Sequence, residues 1–209
     1  MELTPPETRV LGCLLEKELT TPQNYPLTLN ALVLACNQTS NRDPVVSYEE
    51  ADVAGALADL RDQGIARVVH SSSGQRADKY RHGIEDRWGL DEQHRAVLAV
   101  LLLRGPQTVG ELRARTERLA RFDSLSEIEE VLGLLARREE PLAMLLERAP
   151  GQKEARWAHL LAPVDLVAAA AAPARSSGPI DELRSEVAEL RALVDELAAS
   201  VAELRSLLD

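Results

Sequence analysis

The chain has 209 residues, enough for one or two domains with cores of their own and an extension. Hydrophobic residues make up 45% of the chain but aromatic residues only 3%, which argues against an aromatic stacking platform for single-stranded nucleic acid. The formal net charge of -10 means that the whole molecule repels polyanions. Contact with nucleic acid would therefore have to come from local basic patches, and anionic membrane surfaces are disfavoured.

Cysteine usage and the N-terminal sequence predict a cytoplasmic protein. Cys13 and Cys36 lie in apolar helical contexts, so we expect buried thiols and no disulfide. Charged residues interrupt the first twenty positions, and no signal peptide is predicted. The longest apolar run, residues 166–173, is far shorter than the ~20 residues of a membrane-spanning helix, so no membrane association is predicted.

The first part of the chain predicts three helices followed by a β-hairpin. Apolar spacing marks the first two helices, Ser47 and Glu50 have the spacing of a capping box that opens the third, and Gly64 ends it. This order is typical of a winged helix. The predicted elements are helices over 5–19, 28–37 and 47–63, and strands over 65–69 and 79–84 around a turn at 71–74.

The same order repeats further along the chain. The apolar stripe that starts at Val97 matches the one at Val10 with an offset of 87, whereas the third-helix caps and the hairpins match with an offset of 77. Chance rarely aligns helix stripe, cap and hairpin together. We therefore predict a mainly α fold with small β-hairpins, made of two tandem winged helices over 1–88 and 89–162.

The C-terminal part of the chain differs in composition. Residues 163–179 are rich in Ala, Pro, Ser and Gly and predict a linker. Over 180–209 apolar residues occupy heptad positions a and d without exception, which predicts a coiled-coil helix. Mainly β-branched residues at a with Leu at d favour a parallel homodimer, while Leu193 and Leu207 at position g leave a trimer or tetramer open.

Four strings of residues resemble a known family. They are Tyr25-Pro-Leu-Thr-Leu-Asn30, Ala35-Cys-Asn-Gln38, Ser40-Asn-Arg-Asp-Pro44 and Gly151-Gln-Lys-Glu-Ala-Arg156. Over roughly residues 3–162 the sequence resembles the YceH-like family of bacterial proteins of unknown function. The resemblance implies a fold of tandem winged helices and points to DNA binding, but it implies no established activity. The predicted coiled coil lies outside the resembling region.

Motifs for catalysis and metal binding are missing from the sequence. No nucleophile elbow, phosphate-binding Gly loop, HExxH or CxxC pair occurs, so we predict a protein that is not an enzyme and uses no cofactor. The four histidines have no Cys or carboxylate neighbour at ligand spacing, and no metal site is predicted. His82 and His159 each follow an aromatic residue by two positions on a strand, so we expect them to pack the hairpins onto the helices. Phosphate contact by these histidines is the alternative.

Charge is distributed unevenly between helices and hairpins. In many winged helices the third helix enters the major groove of DNA, but here that helix is acidic in both repeats and would repel phosphates. Basic residues are concentrated in the two hairpins, over 65–83 and 148–159, and in the second helix of the second repeat. A hairpin can place basic side chains on phosphates beside a groove. Solvated surface charge is the alternative interpretation.

Nine residues are candidates for contact with DNA or with a protein partner. Seven lie in the hairpins and two in the polar loop 37–44, whose alternative role is to cap helix ends and turns. The candidates are Gln75, Arg76, Lys79, Arg81, Gln152, Lys153, Arg156, Asn41 and Arg42.

Two functions remain open from the sequence. One is a dimeric DNA-binding or regulatory protein that contacts phosphates through its hairpins. The other is a protein-interaction adaptor that uses the winged helices and the coiled coil as a scaffold. The acidic net charge favours the adaptor, whereas the repeated basic hairpins favour DNA binding. Winged helices serve both roles, so the fold alone does not decide between them.

Overall fold

The computed structural model describes residues 2–70, 78–148 and 152–163, together with the isolated helical positions Val187, Arg191 and Val194. Over these residues the chain is mainly helical with two small antiparallel sheets, as the sequence predicts. The predicted turn at 71–74 and nearly all of the predicted linker and coiled coil lie outside the described residues.

The first half of the chain forms helices and a three-stranded sheet. Its elements are α1 (Pro5–Thr20), β1 (Leu27–Thr28), α2 (Leu29–Cys36), α3 (Glu50–Asp62), β2 (Ala66–Val69), β3 (Lys79–His82) and α4 (Ile84–Trp88), with one 3-10 turn over Pro22–Asn24. The strand order is β1-β3-β2, and both pairings are antiparallel. Tyr80 in the central strand stands opposite Leu27 on one side and Val68 on the other.

The second half has a similar order of elements. These are α5 (Glu92–Arg104), α6 (Val109–Thr116), α7 (Leu125–Ala136), β4 (Ala143–Leu145) and β5 (Trp157–His159). Strands β4 and β5 pair antiparallel, and Gln107 forms an isolated bridge with Trp157 on the free side of β5. Three helices followed by two paired strands therefore occur twice in the described residues.

Side-chain caps fix the start of most helices. At the start of α7, Ser124 accepts a hydrogen bond from the backbone N–H of Glu127, which confirms the cap expected there. The capping box expected from Ser47 and Glu50 is wrong. Helix α3 begins after Glu49, whose backbone N–H donates to Asp52 while its own side chain accepts from the first turn. Carboxylates suit this position because a helix N-terminus carries partial positive charge.

Strand β1 and helix α4 were not predicted from the sequence. Strand β1 has only two residues, too few to show an alternating pattern. The returning strand of the first hairpin ends at His82 and not at Ile84, because Ile84 opens α4 and is buried with Trp88 at the other end of that helix. Strand β1 pairs with β3 and so extends the first hairpin into a three-stranded sheet.

A single apolar core joins the two halves of the chain. Helices α1 and α5 pack against each other so closely that a Cβ atom at Gly12 would lie 2.8 Å from the side chain of Leu103. Leu14 and Leu101, which match in the two repeats, are both fully buried. Cys13 and Cys36 are free, buried thiols in the same core, as expected. Among the described residues, no helix has the length and apolar character needed to cross a bilayer.

Candidate nucleic-acid interface

The hairpin residues predicted from the sequence differ in exposure. Lys79 and Lys153 are exposed, and neither forms an ion pair with any acidic residue in the described ranges. Arg81 is half-buried, with its Nη2 atom 3.6 Å from Oε2 of Glu85. Gln152 is also half-buried. Gln75 and Arg76 lie in the stretch 71–77, outside the described residues.

Arg156 lies inside the protein and not on the hairpin surface. Its Nη1 and Nη2 atoms donate to the two carboxylate oxygens of Glu111 on α6, at 2.7 and 3.2 Å, and Nη1 also donates to the carbonyl of Pro106. The residue is 6% exposed. This bidentate pair holds β5 against α6, so Arg156 has a structural role in this arrangement.

Arg42 is buried in a second ion pair. Its Nη2 atom donates to Oε2 of Glu16 at 2.6 Å, and its Nη1 atom donates to Oε1 of Glu16 at 3.2 Å. It also donates to the carbonyl of Ala35 and to Gln38. Arg118 of the second repeat donates to Oε1 of Glu16 at 2.9 Å. Glu16 thus links α1, the loop 37–44 and the second repeat through one carboxylate.

Glu16 is ionised despite its burial. Burial alone would raise the pKa of its carboxyl, but the positive charges of Arg42, Lys17 and Arg118, with the hydrogen bonds from Arg42, lower the pKa to about 2. The side chains of Arg42 and Glu16 are only 0% and 3% exposed. The pair is therefore a charged contact inside the protein.

Two further polar side chains of loop 37–44, those of Asn37 and Asn41, also bind the protein itself. The side-chain amide of Asn37 donates to the carbonyl of Tyr48 and its oxygen accepts from the Tyr48 backbone N–H, both at 2.8 Å. The oxygen of Asn41 accepts from Arg104 on α5, at 2.8 Å. These contacts match the alternative role of a structural loop that was expected from its residue types.

His82 packs the first hairpin onto the helices, as expected. It is 1% exposed, its backbone N–H donates to the hydroxyl of Tyr25, and its Nε2 atom lies 2.7 Å from Oε2 of Glu18. Burial alone would raise the pKa of Glu18, but the hydrogen bond from His82 and its positive neighbours lower it. The contact joins β3 to α1 and was not predicted, because Glu18 and His82 are 64 residues apart.

The same histidine belongs to a cluster with two carboxylates. Ligand atoms of Glu18, His82 and Glu85 lie within 4.8 Å of one another, so the expectation that no histidine has a carboxylate neighbour at ligand spacing is wrong for His82. Arg95 lies 3.4 Å from Oε2 of Glu18 and 3.2 Å from Oε1 of Glu85. Because guanidinium groups already neutralise these carboxylates, the cluster does not favour a divalent cation. We assign it a structural role.

His159 occupies the matching place in the second hairpin. Burial lowers its pKa to about 4, and its Nδ1 atom has no hydrogen-bond partner among the described residues. The ring is therefore neutral near pH 7, which suits packing and does not suit a contact with phosphate.

The third helices are acidic on their exposed surfaces. Five acidic residues of α3 and its cap are exposed, and so are four in and after α7. They are Glu49, Glu50, Asp52, Asp59 and Asp62 in the first repeat, and Glu129, Glu130, Glu139 and Glu140 in the second. These faces would repel the DNA backbone.

A basic groove lies at the turn between α6 and α7. Its cavity measures about 440 Å³, and its lining includes Arg113, Arg118 and Arg121 together with Glu117 and Asp123. The positive charge of the second helix was visible in the sequence. Its concave shape was not, because it depends on how the turn 117–123 folds back against α6.

The described residues define a helical protein of two similar units on one core, with exposed hairpin lysines and a basic groove. The chain belongs to the family described as "Protein of unknown function, DUF480", which matches residues 3–152. This confirms the expectation of a bacterial family of unknown function.

Curated relatives agree with this membership. The chain is 60% identical to a "UPF0502 protein" of Geobacter metallireducens over 156 residues, 75% of this chain and 70% of the relative. It is 47% identical to a "UPF0502 protein" of Koribacter versatilis over 194 residues, 90% of both chains. The second match must run past residue 163, so it includes part of the C-terminal segment.

Proposed function

We propose that this protein is a non-enzymatic tandem winged-helix protein that dimerises through its C-terminal heptads and binds double-stranded DNA by phosphate contacts from its hairpins. The observation that carries the proposal is the pair of exposed lysines, Lys79 and Lys153, which have no acidic partner in the described ranges. One stands in each hairpin.

The repeated order of elements supports the winged-helix assignment. In each half a hairpin follows three helices and is held to them by a buried polar contact. The first hairpin uses His82 with Glu18, and the second uses Arg156 with Glu111. Anchored strands favour binding because less conformational freedom is lost when they meet a duplex.

Charge placement supports contact through the hairpins and not through the third helices. The exposed faces of α3 and α7 are acidic. Phosphate contacts carry no sequence information by themselves, so we expect weak binding that depends on salt and little on sequence. Because the net charge of the chain is negative, such binding should be confined to its basic patches.

Charge reversal at the two lysines tests the proposal. In the double variant Lys79→Glu and Lys153→Glu, affinity for a mixed-sequence duplex should fall, because two phosphate contacts become repulsive. The slope of log affinity against log salt should decrease by roughly 2, about one unit for each lysine. Fluorescence anisotropy over a sodium chloride series measures both quantities.

The matched control is the double variant Arg61→Glu and Arg137→Glu, which changes the net charge equally at exposed positions of α3 and just after α7. It should bind nearly as well as the unmodified protein. Absence of salt-sensitive binding by the unmodified protein at micromolar concentration and low salt would refute DNA binding. Equal losses in both variants would mean that only net charge matters.

The heptads support a dimer. Val187 and Val194 are helical, lie seven residues apart and are 41% and 61% exposed in a single chain. Apolar residues at this spacing are favoured when a second helix covers them. Ending the chain at Gly178 should therefore convert a dimer into a monomer, as measured by sedimentation equilibrium. A truncated protein that keeps the dimeric state would place the interface within residues 1–178.

An adaptor role is the second candidate. Leu125 and Leu134 of α7 are 50% and 46% exposed beside Glu129 and Glu130, and apolar groups among acidic ones suit a basic protein partner. If this function is right, changes in α7 should abolish binding of the partner. The charge reversals at Lys79 and Lys153 should leave that binding unchanged.

A further inference from the structure

The groove at the turn between α6 and α7, the arginine groove, is defined by Arg113, Arg118 and Arg121. These side chains come from one helix and the turn that follows it, and they surround a cavity of about 440 Å³. This volume falls within the range of small-molecule sites, roughly 300–1,000 Å³. Two acidic residues, Glu117 and Asp123, also line it. The lining therefore carries one more positive than negative charge.

The three guanidinium groups differ in how they are held. Arg118 is held on one side by Glu16, at 2.9 Å, and its side chain is 38% exposed. Arg121 is more exposed and pairs with Asp123 at 2.8 Å. The guanidinium of Arg113 makes no hydrogen bond or ion pair anywhere in the described ranges. The groove thus has one anchored arginine and at least one with its donors available.

Positive charge continues from the groove toward the junction of the two repeats. Arg104 at the end of α5 is flanked by Arg115, Arg118 and Arg42. Burial and the repulsion of these neighbours lower the pKa of Arg104 to about 10, and Asp43 only partly opposes this effect. Glu16 offsets part of this charge through its pairs with Arg42 and Arg118, and an anion beside Arg104 would relieve the repulsion that remains.

We infer that the arginine groove binds a phosphate group. Guanidinium forks match the geometry of phosphate oxygens and can donate two parallel hydrogen bonds to them. A phosphate also presents more acceptor oxygens than a single carboxylate, so it can accept hydrogen bonds from more than one of these guanidinium groups. The phosphate belongs either to a free phosphorylated molecule or to a nucleic acid backbone, and the chemistry of recognition is the same for both.

This site does not depend on the hairpin proposal. Its three arginines lie in α6 and the following turn, whereas Lys79 and Lys153 lie in the hairpins. Variants in the arginine groove leave the hairpin lysines unchanged, and the reverse also holds. Each proposal can therefore be refuted without the other.

The experiment uses the full chain and two probes, inorganic phosphate by isothermal titration calorimetry and a mixed-sequence duplex by fluorescence anisotropy. The test variant is Arg113→Gln with Arg121→Gln, which removes one half-buried and one exposed guanidinium and leaves the Arg118 contact with Glu16 intact. The control variant is Arg61→Gln with Arg137→Gln, which removes the same charge elsewhere. Circular dichroism shows whether each variant is folded.

We expect the test variant to lose at least about tenfold in affinity for one probe. The control variant should keep its affinity for both probes. Loss with inorganic phosphate identifies a free phosphorylated ligand, and loss with the duplex alone identifies backbone phosphate. If neither probe binds the unmodified protein, or if the folded test and control variants bind alike, the inference is wrong. The hairpin variant Lys79→Glu with Lys153→Glu should still bind inorganic phosphate.

Discussion

Replacing Glu16 with Gln should lower the free energy of unfolding by about 3–5 kcal/mol, because it leaves the Arg42 guanidinium buried without its counter-charge. The replacement keeps the side-chain volume, so a cavity does not explain the loss. Arg42 and Arg118 both donate to Glu16, and the carboxylate is 3% exposed. Urea unfolding followed by circular dichroism measures the change.

The control for this variant is Glu129→Gln, at an exposed position of α7. Surface changes of this kind usually stay within about 0.5 kcal/mol. A double variant, Glu16→Leu with Arg42→Met, should be more stable than Glu16→Gln, because it removes both charges together. Equal, small effects of all these variants would show that the ion pair is not buried as described.

The ion pair between Glu16 and Arg42 makes the free energy of unfolding depend on pH. The pKa of Glu16 falls from an ordinary value of 4.5 to about 2 in the folded protein. A depressed pKa means that the unfolded state takes up the proton first, so the stabilisation is complete above about pH 4.5 and is lost as the pH falls toward 2. The stability difference between the unmodified protein and Glu16→Gln should shrink over that range.

The sequence predicts the elements of this fold because their signals are local. The cap at Ser124 depends on Glu127 three residues later, and the apolar stripes of the first helices depend on neighbours one turn away. The start of α3 was predicted wrongly because both Ser47 and Glu49 have an acidic residue three positions later, as a capping box requires. Both starts place acidic residues in the first turn, so neither the spacing nor the charge at the helix end chooses between them.

The candidate site was harder to predict because exposure depends on distant partners. Arg42 and Glu16 are 26 residues apart, and Arg156 and Glu111 are 45 apart. No pattern along the chain marks these pairs. The chemical difference between arginine and lysine could have indicated which basic residues are buried. Arginine, with five donors in a planar fork, suits buried ion pairs, whereas the strongly hydrated ammonium of Lys79 or Lys153 favours solvent.

Replacing Leu14 or Leu101 with Ala should each lower the free energy of unfolding by about 2–5 kcal/mol, as for other large-to-small changes in a core. Both leucines are 0% exposed, and they occupy matching positions in α1 and α5. Because these helices pack against each other in one core, each variant should lower the stability of both repeats together. Urea unfolding should therefore show one shifted transition and not two.

Leu134→Ala on the exposed side of α7 is the control, and it should change stability far less because its side chain is already half in solvent. A near-zero effect at Leu14 or Leu101 would mean that the two first helices do not form the core described. Two separate transitions, only one of them shifted in each variant, would mean that the repeats unfold independently. In that case the close approach of α1 and α5 at Gly12 would contribute little to holding the repeats together.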